Sequence, residues 1–142
     1  LTLVRLDENI SFKIAKAWRV LDLTKELQFE TPKERRELGY QDVDWISAFA
    51  SRGGKCLISG DAKMRNIVFE RAALQASGLI AIFPPAGHFF RDLRAAGQAG
   101  YLTRWLLVIQ DIATTADVGE HFRLPADFSA DRGRVLKLPQ LV

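Results

Sequence analysis

The sequence has one cysteine, two histidines and no uninterrupted apolar run of about 18 residues, and each shortage excludes something. A lone Cys56 rules out an internal disulfide and a cysteine-rich zinc site. It lies in an apolar run, where a small hydrophobe packs well, and it points to a reducing compartment. His88 and His121 are far apart, without a partner at metal-ligand or triad spacing, so neither a His-metal site nor a Ser-His-Asp triad is supported. No Walker-type or dinucleotide-binding glycine loop is present. The shortage of apolar runs excludes a spanning helix. Leu1–Leu6 lacks the basic region and apolar stretch of a secretory signal, and a cytoplasmic location is expected. Leu1 is an unusual first residue, so the chain is expected to start inside its first strand.

Charge of one sign is also in short supply. Twenty Lys and Arg face seventeen Asp and Glu, a net charge of +3, which allows a polyanionic partner without demanding one. With 142 residues, 48% of them hydrophobic, the chain is expected to form one domain over residues 1–142 with a substantial core. Strand and helix signals alternate. Leu3–Leu6 reads as a strand, and Ile10, Ile14, Ala17, Trp18 and Leu21 then recur at helical spacing, with Asn9 or Ser11 as cap. Residues 24–40 read as an exposed connection with a brief edge strand at Leu27–Phe29. A helix opens at Asp42, carries Ile46, Phe49 and Ala50 on one face and stops at Gly53-Gly54. Strand Cys56–Ile58, a helix from Asp61 to about Ala76, and the very apolar strand Leu79–Phe83 follow. Leu102, Trp105, Leu106, Ile109 and Ala113 form a helical core stripe, and Glu120–Leu124 with Arg134–Leu138 suggest a small hairpin. This alternation predicts an α/β fold in which helices cover both faces of a mostly parallel sheet. Trp18, Trp45 and Trp105 fall on or beside the apolar stripes and are expected in the core.

Ligands of open parallel sheets bind beyond the carboxyl ends of the strands. Asp7 follows the first strand, Asp61 follows Cys56–Ile58, and Asp42 with Asp44 opens a helix pointing to the same edge. Carboxylates that converge repel one another unless a hard cation neutralises them, and oxygen donors are what Mg²⁺ or Mn²⁺ prefers. A single Asp here reads as a helix cap; three at equivalent positions put a metal site on an equal footing with capping. Lys63, Arg65, Arg91, Arg94 and Arg104 are candidates for a phosphate-binding groove, although each alone is an ordinary solvated side chain.

Asp7-Glu8-Asn9-Ile10, Asp42-x-x-Trp45, Ser59-Gly60-Asp61 and Glu70–Leu79 together resemble, over about residues 2–83, the PIN-like domains grouped with VapC-type toxins. The resemblance implies a three-layer α/β/α domain and an Mg²⁺- or Mn²⁺-dependent endoribonuclease, the toxin of a toxin–antitoxin pair, with RNA as substrate and an antitoxin protein as partner. Residues 84–142 are similar to the family only in general character. Carried over by position, Asp7, Asp42 and Asp61 would be the metal-binding and catalytic acids, with Asp44 as substitute for Asp42. Ser59 would orient the last acid, and Asn9 would support the site. Lys63, Arg65, Arg91 and Arg94 would bind RNA. The pattern departs from many PIN nucleases after Asp61, where no acid follows until Glu70, so a non-catalytic RNA- or protein-binding module on the same scaffold is the alternative. A signalling receiver domain also gathers acids at strand ends, but no Lys-Pro pair follows a late strand here. The oligomeric state, a homodimer included, stays open.

Overall fold

The computed structural model describes residues 1–141; residue 142, the last of the expected domain, lies outside them. Five strands run parallel: β1 (Thr2–Leu6), β2 (Leu27–Glu30), β3 (Cys56–Ile58), β4 (Ile80–Phe83) and β5 (His121–Arg123). A sixth, β6 (Leu136–Lys137), pairs antiparallel with β5, and the sheet order is β2-β1-β3-β4-β5-β6. Five helices alternate with the strands: α1 (Phe12–Leu21), α2 (Asp42–Ser51), α3 (Val68–Ser77), α4 (Phe89–Asp92) and α5 (Arg94–Thr115). The expected mostly parallel α/β architecture is present. The expected C-terminal hairpin forms too, but its first strand extends the main sheet beside β4.

Side chains alternate across the sheet with the period of two that strands impose. Val4, Leu6, Cys56, Ile58, Ile80 and Ile82 face α1, α4 and α5, in a core with Ile14, Trp18, Tyr101, Trp105 and Ile109. Leu57, Ala81 and Phe83 face α2 and α3, in a core with Trp45, Ile46, Phe49, Met64 and Leu74. The two cores make the three layers. All three tryptophans and Cys56 are core residues, and burial pushes the Cys56 thiol well above its ordinary value. Tyr101, Leu102, Trp105, Leu106, Ile109, Ile112 and Ala113 bury the predicted stripe of α5. No helix among the described residues is long and apolar enough to cross a membrane.

Three local expectations are corrected. In α1 the buried face is Ile14, Ala15 and Trp18, whereas Ala17 and Leu21 are exposed, because the helix turns the Ala15 side toward the sheet. Ser11 is the cap, accepting from the Lys13 N–H at 3.3 Å. The helix expected from Asp61 to Ala76 is broken. Met64–Asn66 form a 3₁₀ turn anchored by fully buried Met64, Ile67 is extended at φ −93°, ψ 122°, and α3 starts only at Val68. The β-branched pair Ile67-Val68 disfavours helix continuation. Residues 31–40 are not merely an exposed connection, since Thr31 and Pro32 are buried and Glu30 and Glu37 enter an ion network around Arg5.

Candidate active site

The chain leaves β1 toward β2 on one side and returns to β3 on the other, so the sheet reverses its order between β1 and β3. In open α/β sheets that reversal opens a crevice at the strand carboxyl ends. Asp7 and the Ser59-Gly60-Asp61 turn occupy it, joined by the Asp7 N–H donating to the Ile58 carbonyl at 3.1 Å. Helices α2 and α3 run back against the strands, which brings their first turns, carrying Asp42 and Glu70, to the same edge.

Asp7 is only 1% exposed. Its Oδ1 accepts the Asn9 and Gly60 N–H groups, each at 3.0 Å, and its Oδ2 accepts the Ser59 hydroxyl at 2.7 Å and the same Gly60 N–H at 3.0 Å. Burial pushes this carboxyl up to about 6; the hydrogen bonds oppose the shift and the charge of Asp42 adds to it. Ser59 therefore orients Asp7 rather than Asp61, as the resemblance had implied, and it accepts the Asp61 N–H at 2.9 Å. Asn9 contributes through its backbone.

Glycine is required at position 60 by close approach. A Cβ there would stand 2.9 Å from Asn9 Cβ and 3.1 Å from the Asn9 carbonyl carbon and oxygen. Gly60→Ala is expected to push the two turns apart and cost about 1 to 3 kcal/mol. Thermal unfolding tests this, and an unchanged midpoint would show that the turns are not packed as described.

Asp42 accepts the Trp45 indole N–H at 2.7 Å, which explains the spacing of that pair: i and i+3 share a helix face. Asp44 lies about 200° around α2 from Asp42, exposed, and no side-chain hydrogen bond among the described residues joins it to the other acids. The acid that sequence reasoning did not assign to the site is Glu70. Burial first, then the closeness of Asp42 and the charge of Asp61, push it up to about 7. Its Oε2 is buried without a hydrogen-bond partner among the described residues. A carboxyl held near 7 is partly protonated at neutral pH, so Glu70 is poised to exchange a proton there. Glu70 sits in the first turn of α3 as Asp42 does in α2, a position that shows only once the helix break at Ile67 is seen.

These acids offer hard oxygen donors and unneutralised negative charge, which is the chemistry a divalent cation answers. Among the described residues no three His, Cys, Asp or Glu side chains stand close enough together to enclose an ion as they lie, so binding one requires carboxylates to swing inward. A groove of about 390 Å³ leads from Gly60 and Asp61 past Lys63, Asn66, Pro84–His88 and Arg91 to Arg123. Lys63 and Arg91 both line it. Arg65 lies in a neighbouring pocket, Arg94 borders a separate shallow one with Arg91 and Asp92, and Arg104 is tied to the Phe128 carbonyl at 3.1 Å. Exposed His88 holds Arg91 through Nδ1 at 2.6 Å, whereas His121 is 4% exposed and burial lowers it to about 4.

Fold and site together describe a doubly wound α/β domain with an acidic cluster at its switch point. The sequence profile of the PIN-like domain matches residues 3–86, more than half of the chain, and the protein belongs to that family. The match runs from β1 past β4 and contains Asp7, Asp42, Asp61 and Glu70. Comparison with curated proteins and with solved structures gives no match.

Proposed function

We propose that this protein is a cytoplasmic, divalent-metal-dependent endoribonuclease of the VapC type, a toxin held in check by a cognate antitoxin protein. The observation that carries the reading is the placement of Asp7, Asp42, Asp61 and Glu70 around the switch-point crevice of a PIN-like fold, with Asp7 and Glu70 raised first by burial and then by neighbouring charge. Asp42, Asp61 and Glu70 would hold Mg²⁺ or Mn²⁺, with Asp7 behind them. When bound, the cation supplies charge neutralisation at the phosphodiester and makes water nucleophilic near neutral pH. Glu70 can take or return a proton at Oε2, Ser59 fixes Asp7, and Lys63 and Arg91 draw the phosphate backbone into the groove.

The test is RNA cleavage by the purified protein with Mg²⁺, with Mn²⁺ and with a chelator, together with host growth on expression. Cation-dependent cleavage leaving 5′-phosphates, and slowed growth, are expected. Cleavage without any growth defect would replace the toxin with a housekeeping nuclease. A non-catalytic binding module is the second reading, favoured by the full hydrogen bonding of Asp7 and by the separation of the acids. RNA binding with no cleavage under either cation would select it.

Cation affinity is expected to depend on pH. Glu70 near 7 and Asp7 near 6 must lose their protons for the cluster to carry its full charge, so Mn²⁺ should bind more tightly as pH rises from about 5.5 to 7.5, with proton release. Calorimetry in buffers of different ionisation enthalpy measures both. A flat affinity across that range would remove Glu70 from the site.

A further inference from the structure

Next to the groove that begins at Asp61, the acid groove below, lies a second pocket, of about 260 Å³, lined by Arg65, Arg71, Arg123, Asn66 and the C-terminal residues Leu138, Pro139 and Leu141. Among the described residues no acidic side chain lines it. Arg123 donates from Nη1 to the Pro84 carbonyl at 2.9 Å and lies 6.0 Å from the Phe83 ring centroid. Arg65 donates from Nη2 to the Pro139 carbonyl, and its Nη1 is buried without a hydrogen-bond partner among the described residues. None of the ion pairs among the described residues includes Arg65, Arg71 or Arg123. The Arg65 and Arg123 guanidinium groups are thus positioned by carbonyls and an aromatic face, exposed Arg71 lines the same pocket, and none of the three has a counter-charge among the described residues. Burial disfavours the charged form of both Arg65 and Arg123, and the Arg123 charge adds to this at Arg65. Charges held together in this way are relieved by an anion that accepts hydrogen bonds from several of them.

Asn66 and Arg123 line both this pocket and the acid groove, so the two cavities adjoin. A polyanion with regularly spaced charges can therefore fill both at once, which a single small anion cannot. We propose that Arg65, Arg71 and Arg123 form a phosphate pocket that holds a backbone phosphate of a single-stranded RNA whose neighbouring segment lies in the acid groove. The inference rests on the ribonuclease reading for the choice of strand, and it assigns Arg71 and Arg123 a role that the sequence did not suggest.

The experiment measures binding of a fluorescent single-stranded RNA oligonucleotide to the full chain in chelator, over a range of salt, so that no cleavage is needed. Arg71→Gln and Arg65→Gln are the variants, because neither side chain carries an ion pair to lose. Each is expected to weaken binding roughly tenfold and to flatten the salt dependence by about 0.7 in log–log slope, with an unchanged unfolding midpoint in Arg71→Gln and a small drop in Arg65→Gln, which loses its bond to the Pro139 carbonyl. Unchanged affinity and slope in both variants would overturn the pocket. Inorganic phosphate forms the second arm. If it binds at the pocket at low millimolar concentration, is lost in the variants, and leaves RNA affinity unaffected, a free phosphate and not a strand is the occupant, and the proposal fails. Loss of RNA binding in these variants, in a protein that never cleaves, would overturn the nuclease reading and leave the pocket standing. Full cleavage and binding by both variants would do the reverse.

Discussion

Replacing Asp42, Asp61 or Asp7 by Asn is expected to lower cation-dependent RNA cleavage by on the order of a thousandfold, about 4 kcal/mol of barrier, with the fold intact. Each change removes an anionic oxygen at nearly constant volume. For Asp7 the same substitution should also raise stability. Its carboxyl is lifted from an ordinary 3.8 to about 6, so the folded chain holds this proton more tightly than the unfolded chain does. The stabilisation that results is fully present below about pH 4 and is lost as pH rises through about 6. Near neutral pH the buried, ionised group costs the fold on the order of 3 kcal/mol. Asn keeps a carbonyl oxygen for the Asn9 and Gly60 N–H groups. Its amide can donate to Ser59 Oγ, whose hydroxyl then turns to the Asp61 carbonyl already 3.2 Å away. Cleavage and urea unfolding of the three variants at pH 5 and 7.5 decide the matter. A helix-capping role predicts no loss of cleavage, since Asn also caps well, and undiminished cleavage in all three variants would sink the nuclease assignment. Should only the Asp42 variant stay active, exposed Asp44 becomes the acid in question.

How much of this could be read from the chain follows from the range of the forces involved. The apolar runs of β1, β3 and β4 are a local signal, and Asp7 and the Ser59-Gly60-Asp61 turn directly follow the strands that define the crevice. Their convergence was therefore legible once a parallel sheet was inferred. Glu70 was less so, because it reaches the cluster only through the helix break at Ile67, which re-aims α3, and the sequence from Asp61 onward reads as one continuous helix. Arg123 was hidden for a different reason. Its strand adds to the sheet edge beside β4 through pairing that no local pattern encodes, and only that pairing sets its guanidinium against Pro84. Residues 24–40 misled by composition, since a polar segment looks solvated even when two of its glutamates are turned inward.

Those glutamates lead to the largest expected loss of stability. Arg5 is fully buried in the middle of β1, on the face where an alternating pattern calls for an apolar residue. Its Nη1 donates to Glu30 at 2.8 Å and to Glu37 at 2.6 Å, while Arg52 pairs with Glu30 from the solvent side. The guanidinium lies 4.5 Å from the Trp45 ring centroid, and that indole in turn holds Asp42. Arg5→Met removes the buried cation but leaves Glu30 and Glu37 with Arg52 alone, so two largely desolvated carboxylates lose their main partner. Breaking a buried pair from one side costs about 3 to 5 kcal/mol, which for a chain of this size lowers the unfolding midpoint by on the order of 10 °C. The triple change Arg5→Met, Glu30→Gln, Glu37→Gln should recover most of the loss, because replacing both sides of a buried ion pair is often nearly neutral. Arg5→Lys should fall between, since an ammonium lacks the planar face that rests on Trp45. Urea unfolding followed by tryptophan fluorescence measures the series. A loss below about 1 kcal/mol in Arg5→Met, or a triple variant no more stable than the single one, would show that the network is not what ties the 31–40 segment and α2 to the sheet.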